Sequence, residues 1–250
     1  MKPTRLTLTL ALLAGLALSG GAQATLFDRG GGLIYDDVLD VTWLQDANYG
    51  AGSSYDNGLS TTDGSMSWAN AVAWAANLSY YDSVRGVTYD DWRLPTVLDT
   101  GMPGCDFGYD GTDCGFNVQT YDAGIGTVYS ELAYMYYVNL GNQGYADTSG
   151  VPQSGYGLVD DPLNPNDESL FANLKLYPYW SGTEYAPNAN DAWHFGLATG
   201  DQGADGKDFA FNAWAVRSGD VAAPVPEPET YALLLAGLGV VGMAARRRRG

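Results

Sequence analysis

Two apolar segments, one near each end of the chain, limit what the residues between them can fold into. The first spans residues 6–18, follows two basic residues, and is followed by a small-x-small site framed by Ala22 and Ala24. These features are typical of a secretory signal peptide, and an apolar run of about 13 residues is too short to span a bilayer. The sequence therefore predicts a signal peptide at residues 1–24, export by the Sec machinery, and a mature chain that starts at Thr25.

The second apolar segment lies at the C-terminus. Pro226, Glu227 and Pro228 precede an uncharged apolar run at residues 231–245. A helix of this length is about 22 Å long, short against a hydrocarbon core of about 30 Å, but flanking arginines can reach the interface and make up part of the difference. By the positive-inside rule, the basic cluster that follows stays in the cytoplasm and the acidic domain lies outside. This cluster consists of Arg246, Arg247, Arg248 and Arg249.

The order of a Pro-Glu-Pro motif, a short apolar helix and a terminal arginine cluster resembles the PEP-CTERM sorting signal of Gram-negative bacteria. The resemblance implies that exosortase, a membrane protease-transpeptidase, recognises residues 224–250 and removes the tail. It also implies transient anchoring in the inner membrane and then display at the cell surface or in the extracellular matrix, often beside exopolysaccharide. It implies nothing about the activity of the rest of the chain.

The segment between the two ends is strongly acidic. From Thr25 to Pro224 it carries 6 basic and 27 acidic residues, a balance of 6 − 27 = −21. Such a surface repels phosphate backbones, which excludes nucleic-acid binding. The whole chain has one histidine and two cysteines, too few for a multi-histidine zinc site, a four-cysteine cluster or a c-type haem. The length and the lack of an internal linker predict one domain at residues 25–223.

Hydrophobic periodicity predicts two helices in this domain. Apolar residues recur at helical spacing over residues 67–78, where Ser65 or Ser67 can act as the N-cap. The second helix is predicted over residues 130–140, with Ser130 as its N-cap and a glycine directly after it.

Strands are predicted before and after these helices. Alternating residues in the last third place His194 on the wetter face of its strand. Helices early and strands late within one domain indicate the α+β class. The predicted strands are an N-terminal hairpin at residues 33–35 and 41–44, and an antiparallel meander at residues 179–185, 191–197 and 209–217.

Four tryptophan-containing segments occur in order along the chain: residues 42–49 (TWLQDANY), 91–96 (DWRLPT), 179–185 (YWSGTEY) and 213–219 (AWAVRSG). Together they resemble the Lcl C-terminal-type domain, a family of uncharacterised bacterial surface domains related in fold to C-type lectin-like and formylglycine-generating-enzyme domains. The resemblance implies two helices beside a twisted antiparallel sheet, with the N- and C-terminal strands close together. Residues 100–167 read as an insertion, and Gly182 replaces the serine usual at its position. The family has no agreed catalytic residues.

Within these segments the tryptophans are expected in the core, because aromatic side chains dominate buried area. Arg93 and Arg217 are scarce cations in an acidic domain, and we expect them to pair with buried or half-buried carboxylates rather than with a substrate.

Candidate chemistry is limited. His194 is the sole histidine available as the base of a nucleophilic triad, and no Gly-x-Ser-x-Gly elbow occurs. Paired carboxylates for glycoside hydrolysis stay an alternative, because acids are plentiful. Cys105 and Cys114 lie in one short loop, where an exported domain is expected to form a disulfide.

Two acidic loops are candidate calcium sites. Asp106, Asp110 and Asp113, between and beside the cysteines, offer the oxygen ligands that calcium prefers, although diffuse binding of cations to the acidic domain is an alternative. Residues 201–208 fail the EF-hand pattern and are predicted to be a plain hairpin turn.

The sequence thus favours a non-catalytic, surface-displayed adhesion or matrix protein with a C-type lectin-like domain that binds exopolysaccharide or a cell-surface glycan. We expect no catalytic residues and no cofactor apart from weakly bound calcium. The alternative is an enzyme that acts on extracellular polysaccharide through paired carboxylates.

Overall fold

The computed structural model describes residues 26–101, 113–158 and 170–221. This part of the chain is mostly β-sheet with few helices, which agrees with the α+β class, and its sheets form no closed barrel. The strands are β1 (Leu26–Asp28), β2 (Leu33–Asp36), β3 (Val41–Leu44), β4 (Ser65–Met66), β5 (Tyr80–Asp82), β6 (Val87–Tyr89), β7 (Gly115–Phe116), β8 (Tyr121–Asp122), β9 (Thr127–Val128), β10 (Pro178–Glu184), β11 (Asp191–Gly196), β12 (Asp201–Gly206), β13 (Phe211–Asn212) and β14 (Val216–Ser218).

One sheet joins the beginning and the end of the domain. Its strand order is β1-β2-β3-β14, and the predicted N-terminal hairpin is confirmed as β2 paired with β3. Asp40 has a φ of 52° in the connecting turn. Strand β14 runs antiparallel to β3 with Val216 opposite Trp43, so the C-terminal strand lies beside the N-terminal hairpin.

The larger sheet has the order β4-β13-β10-β11-β12-β7. It contains the predicted meander, but with a different third strand: β12 pairs with β11 along its whole length, from Asp191 opposite Gly206 to Gly196 opposite Asp201. The prediction of a hairpin turn at residues 201–208 was therefore wrong. Strand β12 has few β-branched and aromatic residues, and its pairing with β11 instead of its local composition holds it in the sheet.

The predicted strand at residues 209–217 is divided between the two sheets. Strand β13 enters the larger sheet, where it runs parallel to β10, and β14 enters the smaller one. The chain crosses between the sheets at Ala213, Trp214 and Ala215, all buried. The side chain of Trp214 fills the core at this crossing and donates from Nε1 to the Leu44 carbonyl oxygen at 2.7 Å.

Both predicted helices are present, each in a modified form. Helix α1 spans Trp68–Ala76; Ser67 is its N-cap residue, but the Ser67 side chain makes no capping hydrogen bond. Helix α2 spans Glu131–Tyr134 and continues as a π-helix over Met135–Asn139. The Oγ of Ser130 accepts a hydrogen bond from the Ala133 amide, as expected of an N-cap.

The tryptophans of the four segments lie in the core, as the sequence predicts. Trp43, Trp180 and Trp214 are fully buried and Trp92 is nearly so. The Trp43 and Trp214 rings lie 4.7 Å apart between centroids. Among the residues described, no helix is both long and apolar enough to cross a membrane, and the predicted apolar helix at residues 231–245 lies outside them.

Candidate functional site

The four tryptophan-containing segments meet in space. Residues 42–49 and 213–219 are joined by the pairing of β3 with β14. The second segment joins them through Arg93, whose amide and carbonyl bond to Val216. The third joins the second through Gly182, whose amide donates to the Pro95 carbonyl oxygen at 2.8 Å. The four tryptophan-containing segments therefore form one structural centre.

Arg93 pairs with a buried carboxylate at this centre. Its Nη1 and Nη2 atoms donate to the two carboxylate oxygens of Glu131 at 2.6 and 2.7 Å. The Glu131 side chain is 6 % exposed and also accepts from the Thr96 amide at 2.7 Å. The prediction for Arg93 is confirmed, and Glu131 has a structural role as the acceptor that joins the start of α2 to the second segment.

Arg217 is held in the same way by Asp91. Two parallel hydrogen bonds of 2.8 Å join the guanidinium to the carboxylate, and the guanidinium carbon lies 4.4 Å from the centroid of the Tyr89 ring. Hydrogen bonding from Arg217 lowers the pKa of Asp91 below its usual range. Asp91 is half-exposed rather than buried, so this pair holds β14 at the surface.

His194 does not lie on a wet face, and that prediction was wrong. It is only 7 % exposed because β12 covers it, and its Nε2 lies 3.0 Å from Asp205 Oδ2. The imidazole also contacts Phe211, with 4.9 Å between ring centroids. Its Nδ1 atom is buried without a hydrogen-bond partner in the described ranges. A His–Asp pair is therefore present, but the hydroxyl that would complete a nucleophilic triad does not bond to this histidine there.

The predicted disulfide and calcium loop are described only in part. Asp113 accepts a hydrogen bond from the Thr100 hydroxyl, and Cys114 is buried beside Val97 and Trp193. Cys105, Asp106 and Asp110 lie outside the described residues. The part of the chain that is described holds no cluster of three or more metal-ligating side chains. The disulfide and the calcium site both stay predictions.

A cleft of about 290 Å³ opens beside β13. Charged and polar groups face it from Asp63, Lys175 and Asn212, and apolar side chains from Leu176 and Tyr177. Sequence reasoning did not identify this site. Its one available signal was that Lys175 belongs to the six basic residues between the two ends of the chain.

Comparison with known proteins identifies the C-terminal segment. The protein-family model of the PEP-CTERM protein-sorting motif matches residues 224–249. This range contains the Pro-Glu-Pro residues and all four terminal arginines, so the predicted sorting segment is confirmed. No curated protein and no solved structure shows a significant match to the chain.

The motif indicates how the chain is sorted. It implies export, exosortase as the processing partner, and a surface or extracellular destination. The chain is thus a cargo protein with a C-terminal PEP-CTERM signal. The predicted signal peptide, with Ala22 and Ala24 at its cleavage site, lies outside the described residues, as do Pro226, Glu227, Pro228 and residues 246–249.

Proposed function

We propose that this protein is a non-catalytic adhesion or matrix protein that is exported by the Sec machinery, processed by exosortase and displayed at the cell surface, where it binds extracellular glycan. The observation that carries the proposal is the sorting motif at residues 224–249. In our proposal the mature part, residues 25–223, is one C-type lectin-like domain of the Lcl C-terminal type. The contact among its four tryptophan-containing segments supports that assignment.

The contacts of the two arginines and the histidine support a non-catalytic role. Arg93 and Arg217 hold segments of the domain together, and His194 is covered by β12. Each of the three is therefore engaged by a carboxylate of the domain itself. The few basic side chains of this extracellular domain serve its own packing. A role in binding or adhesion therefore suits it better than catalysis by charged side chains.

The sorting part is tested by changing the tail charge in the native host. Replacing Arg246, Arg247, Arg248 and Arg249 with glutamine removes the cytoplasmic positive charge that retains the tail. We expect loss of processing, read as a higher molecular mass, and reduced labelling of intact cells. Replacement with lysine keeps the charge and is the matched control. Unchanged mass and labelling in the glutamine variant would contradict the proposal.

The non-catalytic part is tested by incubating the purified full chain with exopolysaccharide from its host. We expect retention of polysaccharide without new reducing ends. Release of sugars that a single carboxylate substitution abolishes would establish the alternative, an enzyme that uses paired carboxylates.

A further inference from the structure

Most of the basic side chains of the domain form ion pairs with its own carboxylates, and one does not. Six basic residues lie between Thr25 and Pro224. Five of them pair with a carboxylate at 2.6 to 2.8 Å: Arg29 with Asp220, Arg85 with Asp82, Arg93 with Glu131, Lys207 with Glu184, and Arg217 with Asp91. In the described ranges Lys175 is the one that makes no such pair. An unpaired Lys175 ammonium is unexpected in a domain with a net charge of −21, where carboxylates are plentiful.

Lys175 lies on the 290 Å³ cleft beside β13. The lysine backbone is fixed, because its amide donates to the hydroxyl of the buried Tyr179 at 2.9 Å. Asp63 also faces the cleft. Burial alone would raise its pKa, but hydrogen bonds from the Ser65 hydroxyl and amide outweigh it, so the pKa lies below the usual range and the carboxylate is ionised at neutral pH. The cleft therefore presents a cationic donor and an anionic acceptor.

Hydrogen bonds hold the Asn212 side chain and the segment that carries Asp63 at this cleft. Asn212 is 3 % exposed; its amide nitrogen donates to Asn48 Oδ1 at 3.0 Å and to the Asp63 carbonyl oxygen at 3.3 Å. The Asn48 side chain donates to that same carbonyl at 3.1 Å. Asp56 accepts from the Gly64 amide and so fixes the next residue. Preorganised polar groups of this kind favour ligand binding, because little ordering is left to be done when the ligand arrives.

Exposed apolar side chains surround the polar groups. Leu59 is 77 % exposed, Leu176 64 % and Tyr177 40 %. The Tyr177 ring lies 6.2 Å from that of Phe211, which stacks at 6.0 Å on Phe209, itself 54 % exposed. Phe211 is itself only 7 % exposed, so Tyr177 and Phe209 are the rings of this group that reach the surface beside the cleft. Contiguous exposed apolar area beside a cleft marks a binding surface.

We propose that this cleft binds a neutral hexopyranose unit of an extracellular polysaccharide, with one face of the sugar ring against Tyr177. The inference rests on the proposed glycan-binding function and locates it. A pyranose ring offers an apolar C–H face for Tyr177 and hydroxyl groups that both accept from an ammonium and donate to a carboxylate.

The charges of the site select a neutral sugar. An anionic sugar would meet Asp63 and the long-range repulsion of the acidic domain, and a cationic group would meet Lys175. Hydroxyl groups satisfy both side chains at once. The cleft volume lies at the lower end of the range for small-molecule sites, which fits one or two sugar units.

The test is affinity electrophoresis of the full-length chain, purified in mild detergent, in gels that contain dextran, galactomannan or mixed-linkage β-glucan, with anionic alginate for comparison. We expect retardation by at least one neutral polysaccharide and none by alginate. Tyr177→Ala and Lys175→Gln should each weaken that binding about tenfold or more, as substitution of central contact residues does. Tyr177→Phe keeps the ring and should retain binding. Tyr81→Ala removes another exposed tyrosine, 63 % exposed on β5, and is the matched control.

Each contrary outcome has a distinct meaning. Wild-type binding that Tyr177→Ala and Lys175→Gln leave unchanged would overturn the cleft as the site and leave glycan binding intact. Retardation by alginate alone would overturn the neutral-sugar assignment. No retardation by any of the polysaccharides would overturn both this inference and the glycan-binding part of the proposed function, but not its sorting part. Matching thermal melting curves show that the variants are folded.

Discussion

At the scale of single residues, a carboxylate that is paired with an arginine holds the centre of the domain together. Glu131 accepts hydrogen bonds from Arg93 and from the Thr96 amide while it is nearly excluded from solvent. Removing such an acceptor leaves a charge and a backbone donor without a partner.

We therefore expect Glu131→Ala to lower the free energy of unfolding by about 3 kcal/mol, measured by urea denaturation. The control is Glu184→Ala, which breaks the exposed pair with Lys207 and should change stability by less than about 1 kcal/mol. Equal effects of the two substitutions would contradict a special role for the buried pair.

Asp36 is a buried carboxylate that forms no ion pair in the described part of the chain. It is fully buried and accepts hydrogen bonds from the Val38 and Leu39 amides and from the Asn139 side chain. Burial raises the pKa of Asp36 above its ordinary value of 3.8. The folded domain therefore binds this proton more tightly than the unfolded chain does. The resulting stability is fully present at pH below 3.8 and is lost as the pH rises through the raised pKa of the folded state.

We expect Asp36→Asn to remove this loss and to raise the free energy of unfolding by about 1 kcal/mol at pH 7. The new amide keeps an acceptor for the two backbone N–H groups. Asn139 now donates from Nδ2 to Asp36 Oδ2, so its side-chain amide must flip for the new amide to donate to Asn139 Oδ1, a buried atom that has no partner in the described ranges. Urea denaturation from pH 4 to pH 8 measures the effect. Asp36→Ala, which removes the acceptor, should destabilise the domain. A uniformly less stable Asp36→Asn protein would refute the argument.

At the scale of elements, the two helices differ at their N-termini. Ser130 caps α2 with its side chain, whereas Ser67 stands at the N-cap of α1 without a side-chain bond. We expect Ser130→Ala to destabilise the domain by about 1 kcal/mol and Ser67→Ala by less than about 0.5 kcal/mol, measured by thermal unfolding. The reverse order would show that the capping geometry does not control these helix starts.

The loop before β7 carries the predicted covalent link. Cys105 and Cys114 are expected to be disulfide-bonded in exported protein, because the compartment is oxidising and the loop is short. Closing a loop of about 10 residues should contribute about 2–3 kcal/mol. Alkylation under denaturing, non-reducing conditions should find no free thiol. Modification of both cysteines without prior reduction would rule the link out.

At the scale of the whole molecule, the net charge of −21 between Thr25 and Pro224 should control how the domain interacts with cations. Calorimetry with calcium and with magnesium separates a site from diffuse screening of that charge. A site at Asp106, Asp110 and Asp113 predicts saturable, calcium-selective binding that Asp110→Ala removes. Extracellular modules bind calcium with dissociation constants of about 10⁻⁴–10⁻³ M, so the titration must reach millimolar calcium. Equal, non-saturating responses to both ions would eliminate the site.

The sequence alone determined the C-terminal sorting motif, both helices, the N-terminal hairpin and the burial of the tryptophans. These features depend on local composition and on periodicity, which neighbouring residues carry by themselves. Sequence reasoning also predicted carboxylate partners for Arg93 and Arg217, because a cation that is outnumbered by acids in a folded domain finds one.

Tertiary structure decided the rest. The pairing with β11 made residues 201–206 a strand despite their poor propensity, and that strand covered His194. The identity of Glu131 and Asp91 as partners, and the placement of Lys175 beside Asp63 and Tyr177, bring together residues far apart in the chain. Such contacts form only when distant segments pair and pack, and no periodicity within one segment encodes which distant residue will lie opposite it.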